Sequence, residues 1–65
     1  MQGNEFRTLI TDHKLRKKYL DGSQRLIDAL IKKGFIEVAM IHAKKRKQLI
    51  DDLKIADELL GRTAA

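Results

Sequence analysis

The chain contains no cysteine, no proline and no tryptophan. Without cysteine there are no disulfides and no thiolate metal sites, and the expected location is a reducing cytoplasm. Without proline, nothing removes a backbone donor or clashes with a preceding turn, so long helices are permitted. The aromatic residues are Phe6, Tyr19 and Phe35 alone. All three fall in apolar stripes, which leaves no platform for stacking single-stranded bases. Long apolar runs are missing as well. The longest, from Phe35 to Ala43, contains Glu37 and His42 and is far too short to span a bilayer. No membrane partner is expected. The opening Met-Gln-Gly-Asn-Glu has neither a basic n-region nor an apolar h-region, so no signal peptide is expected.

What is present is 43% hydrophobic and 35% charged residues in a chain of 65. That is enough apolar material for a core and argues against global disorder. The length allows one domain, residues 1–65. A chain this short buries only about 60% of the surface its unfolded form exposes, and one such core rarely supplies more than about 3–5 kcal/mol. Regular helix packing and self-association are the remaining sources of stability. The net charge of +5 turns the list of partners towards nucleic acid, acidic proteins or anionic surfaces, although nine acidic residues are interspersed.

Apolar periodicity is helical almost throughout. Asn4 is a plausible N-cap, and Phe6, Leu9, Ile10, Tyr19 and Leu20 follow at helical spacing, with Leu15 off the main stripe. Asp12 and Arg16, four apart, are expected to pair on the surface. Asp21-Gly22-Ser23 is the first punctuation: Gly22 can end a helix and Ser23 can cap the next. The stripe nevertheless continues in phase through Leu26, Ile27, Leu30 and Ile31, so a continuous helix and a break at Gly22 both remain open. Asp28 and Lys32 form another pair of suitable spacing. Lys32-Lys33-Gly34-Phe35 is the stronger punctuation. Two lysines suit the negative end of a helix, Gly34 can take the left-handed conformation, and Phe35 would fold back onto Leu30 in a Schellman ending. A second helix then runs to Leu60, with a main stripe of Val38, Ile41, His42, Lys45, Leu49, Leu53, Ala56 and Leu60. A short strand over residues 35–41 is conceivable, but no second strand-like run exists to pair with it. Gly61 ends the helix and residues 61–65 form a tail.

The expected fold is therefore all-α: an antiparallel helical hairpin with arms 5–33 and 36–60 about a turn at 34–35. A break at Gly22 would give three helices. In a symmetric register residue i faces roughly residue 68 minus i, which sets Asp51 and Asp52 level with the lysines at 14–18. One side of each stripe stays uncovered, so a homodimer forming a four-helix bundle is expected.

Two basic runs stand out, Lys14-Leu15-Arg16-Lys17-Lys18 and Lys44-Lys45-Arg46-Lys47. Each can contact phosphates with salt-dependent affinity or form a solvated helix face, with Lys47 paired to Asp51. Together, Lys14, Arg16, Lys17, Lys18, Lys44, Lys45, Arg46 and Lys47 form the expected contact surface. An apolar surplus of Phe35, Ile36, Met40, Ile55 and Leu59 forms the expected association surface. A helix-turn-helix about Gly34 fails on residue types, because Glu37-Val38-Ala39-Met40-Ile41 offers almost no donors to base edges. His13 and His42 lack a ligand spacing, and Ser23 lacks a base. No metal, cofactor, small-molecule substrate or catalysis is expected.

The helix–Lys32-Lys33-Gly34-Phe35–helix layout resembles the Spo-zero-E type of sporulation phosphatases, which are small helical hairpins. Their Ser-Gln-x-x-Leu-Asp segment belongs in the second helix, where this chain has Ala43-Lys44-Lys45-Arg46-Lys47-Gln48. The resemblance therefore implies the hairpin and does not carry the activity. In general character the chain is similar to small accessory proteins of phages and plasmids. The expected function is a non-catalytic helical module that binds itself and a protein partner, with nucleic-acid binding through the lysine and arginine clusters as the alternative.

Overall fold

The computed structural model describes the backbone of residues 2–62 and the side chains of residues 6–62. Three helices follow one another: α1 from Gln2 to Thr11, α2 from His13 to Lys32 and α3 from Ile36 to Leu59. α2 and α3 form the antiparallel hairpin, and α1 packs against both. Residues 35–41, where a strand was conceivable, are helical from Ile36 onward.

The hairpin turn is the ending expected at Gly34. Gly34 has φ 91°, the left-handed region that glycine enters without a Cβ penalty. The Gly34 N–H donates to Ile31 O at 3.0 Å and the Phe35 N–H to Leu30 O at 2.8 Å, the paired bonds of a Schellman motif. The Phe35 ring is 55% exposed, so the closure is made by the backbone. Gly61, at φ 72°, repeats the device at the end of α3: its N–H donates to Glu58 O and the Arg62 N–H to Asp57 O.

The first arm is broken, but at Asp12 and not at Gly22. α2 runs straight through Gly22 and Ser23, so neither the break nor the Ser23 cap holds. Asp12 is extended, at φ −113° and ψ 99°, and its carboxylate accepts from the Leu15 N–H at 3.0 Å. It is therefore an N-cap, and does not pair with Arg16. Thr11 adds to the break, because its hydroxyl donates back to Arg7 O and Thr8 O. Short polar side chains compete in this way with the helical ladder. The off-phase Leu15 marks the break: it opens a new helix with its own stripe. At the other end, α1 begins at Gln2, so Asn4 lies inside the helix and does not cap it.

The interface follows a heptad on both arms. In α2, Arg16, Leu20, Ser23, Ile27 and Leu30 turn inward, with Ile27 buried. In α3 the inward set is Ala39, His42, Arg46, Leu49, Leu53 and Ala56, with Ala39 and Leu53 buried. His42, Leu49, Leu53 and Ala56 of the expected stripe lie in this seam, but Ala39 and Arg46 take the places expected of Val38, Ile41 and Lys45. Val38, Ile41 and Lys45 lie outside it, and Leu60 is 56% exposed at the helix end. α3 carries two stripes of the same three-and-four spacing, offset by one residue. Hydropathy favours the stripe without Arg46. The fold takes the other, where Ala39 lets the helices meet closely near the turn and Arg46 finds acceptors.

Leu9, Ile27, Ala39 and Leu53 are the buried core among the described residues. Leu53→Ala should cost about 2–4 kcal/mol of unfolding free energy, measured by urea denaturation; a loss below 1 kcal/mol contradicts the seam. Gly34→Ala should cost about 1 kcal/mol through backbone strain alone, because a Cβ there meets nothing within 4 Å.

Candidate interaction surface

The expected cationic residues divide into those consumed by the fold and those left on its surface. Arg16 belongs to the first set. Its guanidinium takes both oxygens of Asp57, Nη1 to Oδ2 at 2.8 Å and Nη2 to Oδ1 at 3.1 Å. It also donates from Nε to Leu9 O at 2.8 Å and from Nη2 to Ile10 O at 3.3 Å, carbonyls left over where α1 stops. Arg62 donates to the same Asp57 carboxylate at 3.0 Å and to Ile10 O. One carboxylate thus joins all three helices. The hydrogen bond from Arg16 is the main cause that holds Asp57 far below the usual carboxylate range, with Arg62 adding to it against desolvation. The same bond raises Arg16 above its ordinary value. The symmetric register had set Asp51 and Asp52 against this run. Instead Asp57 answers it, because the break at Asp12 makes Arg16 reach back over the end of α1.

Arg46 is consumed as well. It lies half-buried in the seam, and its Nε donates to Ser23 Oγ at 3.0 Å and to Leu20 O at 3.2 Å. Ser23 in turn donates to Leu20 O at 2.9 Å. Lys17 pairs with Asp21 at 2.9 Å, and that bond lowers the Asp21 pKa. The remaining expected pairs are replaced: Asp28 accepts from Gln24, and Lys47–Asp51 is not among the ion pairs of the described residues.

Lys14, Lys18, Lys44, Lys45 and Lys47 are exposed. Of the last three, Lys44 and Lys47 are neighbours three residues apart and Lys45 turns away from both, since successive residues on a helix turn by about 100°. A cationic row does form along the outside of α2. Lys14 and Lys18 are continued by Arg25 and Lys32, all exposed, at steps of four, seven and seven residues. The row spans roughly 27 Å at the helical rise. Arg25 and Lys32 were missed because Arg25 stands singly in the sequence and Lys32 reads as part of the helix ending; helical phase, not adjacency, assembles the row.

The apolar surplus also rearranges. Phe35, Ile36, Met40, Ile55 and Leu59 are all exposed, but Ile36 and Met40 lie on the opposite side of α3 from Ile55 and Leu59. The broader apolar face holds Ile55 and Leu59 together with Val38 and Ile41, and across the hairpin Leu15, Tyr19 and Leu26. In an antiparallel heptad pair these positions flank the seam on one side. Their exposure runs from 41% for Leu15 to 82% for Leu59. On the other side, an open cleft of about 410 Å³ has a floor of Leu20, Ile50 and Leu53 and a rim of Arg16, Lys54, Asp57 and Glu58. Its Arg16 and Asp57 are spent on each other.

His13 opens α2 and is exposed, whereas His42 lies half-buried in the seam near the hairpin turn. Among the described residues no group of three potential ligands is placed to hold a metal ion, and no helix is long and apolar enough to cross a membrane. These features define a helical hairpin with a short helix clamped to its open end. No protein-family model, curated protein or solved structure matches the chain.

Because the Asp57 pKa is depressed by folding, its contribution is full above about pH 5 and declines as pH falls through the unfolded value of about 3.9. It vanishes only below the still lower folded pKa. Thermal melts of the wild type should therefore lose stability steeply below about pH 4. Asp57→Asn should be less stable at neutral pH and show a flatter acid limb. An acid limb unchanged by the substitution contradicts the clamp.

Proposed function

We propose that this protein is a non-catalytic helical interaction module of the cytoplasm, which self-associates through its exposed apolar face and offers the cationic row of α2 to an acidic protein partner. The observation that carries the reading is the face formed by Leu15, Tyr19, Leu26, Val38, Ile41, Ile55 and Leu59, each at least 41% exposed. An apolar strip of this kind is characteristic of surfaces that meet another molecule, and a core of four buried residues among those described leaves a lone copy short of stabilising burial. The cytoplasmic assignment is supported by the lack of cysteine.

A second reading, nucleic-acid binding, is favoured by one observation: Lys14, Lys18, Arg25 and Lys32 stand exposed in a row without ion-pair partners among the described residues. Such a row can track phosphates without reading sequence.

Two measurements separate the readings. Sedimentation equilibrium should give a dimer in the micromolar range; a monomer at several hundred micromolar rejects self-association. Labelled duplex and single-stranded DNA and RNA, titrated at two salt concentrations, should show no binding beyond weak low-salt attraction. Binding with a steep salt slope that falls by about 0.9 for each cation of the α2 row neutralised would establish the second reading in its place.

A further inference from the structure

The outer stripe of α3 is a second heptad seam. Val38, Ile41, Lys45, Gln48, Asp52, Ile55 and Leu59 follow one another at alternating steps of three and four residues, the spacing of a helix–helix contact. The two apolar pairs at its ends are 42–82% exposed. Its centre is polar. Gln48 donates to Asp52 at 2.9 Å, and Lys45 has no ion-pair partner among the described residues. Lys45 and Asp52 are seven residues apart, roughly 10 Å along the axis, too far to neutralise each other. Two opposite charges thus stand without an ion-pair partner among the described residues, between the apolar ends of the strip.

Read in reverse, the strip is its own complement. About a midpoint between residues 48 and 49, Lys45 mirrors Asp52, Val38 mirrors Leu59 and Ile41 falls opposite Ile55. We propose that α3 of a second copy of this chain lies antiparallel on this strip, making two Lys45–Asp52 pairs between the copies with apolar contacts on either side. The inference rests on the self-association reading and adds partner, face and direction to it. A parallel arrangement would set lysine on lysine and aspartate on aspartate, and charges within a seam are a recognised means of selecting orientation. Gly22 fits the same contact. It lies on the same side of the hairpin, and Arg46, bonded to Leu20 and Ser23, places that part of α2 beside the polar centre. Within the molecule nothing calls for glycine there: its φ is not positive, and an added Cβ would meet only the Arg25 guanidinium at 3.9 Å. A close neighbouring helix would.

Charge reversal tests the arrangement. Lys45→Asp and Asp52→Lys, each alone, put like charges opposite one another twice per dimer and should weaken dimerisation roughly tenfold or more. The double variant restores opposite charges and should recover wild-type affinity within about threefold. Far-UV circular dichroism at high concentration checks that each variant remains helical. Since the chain has no cysteine, Val38→Cys and Leu59→Cys report direction without background. Mixed and oxidised, they should cross-link to each other, and neither should cross-link to itself. A dimer indifferent to the charge changes, or one in which each cysteine variant links to itself, overturns the antiparallel seam while leaving self-association standing. A wild-type monomer at several hundred micromolar overturns both.

Discussion

The carboxylate of Asp57 is the point on which the three helices depend. It receives two hydrogen bonds from Arg16 and one from Arg62, and those arginines also take the last carbonyls of α1. Arg16 comes from the start of α2 and Arg62 from just beyond α3. The clamp therefore couples elements whose apolar contacts are few. Charge-assisted, two-pronged pairing is the strong form of such bonds, and here the side chains of Arg16 and Asp57 are only 15% and 18% exposed. The ending at Gly61 contributes to the geometry. In a Schellman motif the residue after the glycine usually makes an apolar contact with the last turn; in this chain that contact is ionic, Arg62 to Asp57.

The turns were legible where a single residue type decides the backbone. Gly34 and Gly61 follow the last apolar positions of their helices, and both carry positive φ. The break at Asp12 was harder to see because Asp12 has two readings at sequence level, as cap and as partner of Arg16 four residues on. The residue three positions after it is Leu15, not the glutamate or glutamine that would complete a capping box. The phase slip at Leu15 was visible but had no local explanation. Only the acceptors at Leu9, Ile10 and Asp57 show where Arg16 is engaged, and Asp57 is 41 residues away in sequence.

The expected α3 stripe holds His42, Leu49, Leu53 and Ala56 of the observed seam, but has Val38, Ile41 and Lys45 where the fold uses Ala39 and Arg46. Two stripes share its spacing, and hydropathy favours the one that contains Lys45 over the one that contains Arg46. The difference lies across the hairpin, where Ser23 and the Leu20 carbonyl accept from Arg46. The cationic runs misled in another way. Neighbours in sequence diverge around a helix, so Lys44-Lys45-Arg46-Lys47 is not one patch: Arg46 turns into the seam and Lys45 away from Lys44 and Lys47, whereas Lys14, Lys18, Arg25 and Lys32 align although separated. Helical phase was available from the start; the helix boundaries that set it were not.

The interruption at Asp12 makes α1 a unit that can open by itself. α2 and α3 share a continuous seam, while α1 is held by Leu9, by the half-buried Phe6 and Ile10, and by the two arginines. Protection of backbone amides against exchange should thus be graded, lowest in α1 and highest around Ile27 and Leu53. Because Arg16 and Arg62 grip the end of α1 and Asp57 at once, release of that short helix would leave both arginines on the carboxylate but strip them of their carbonyl acceptors at Leu9 and Ile10.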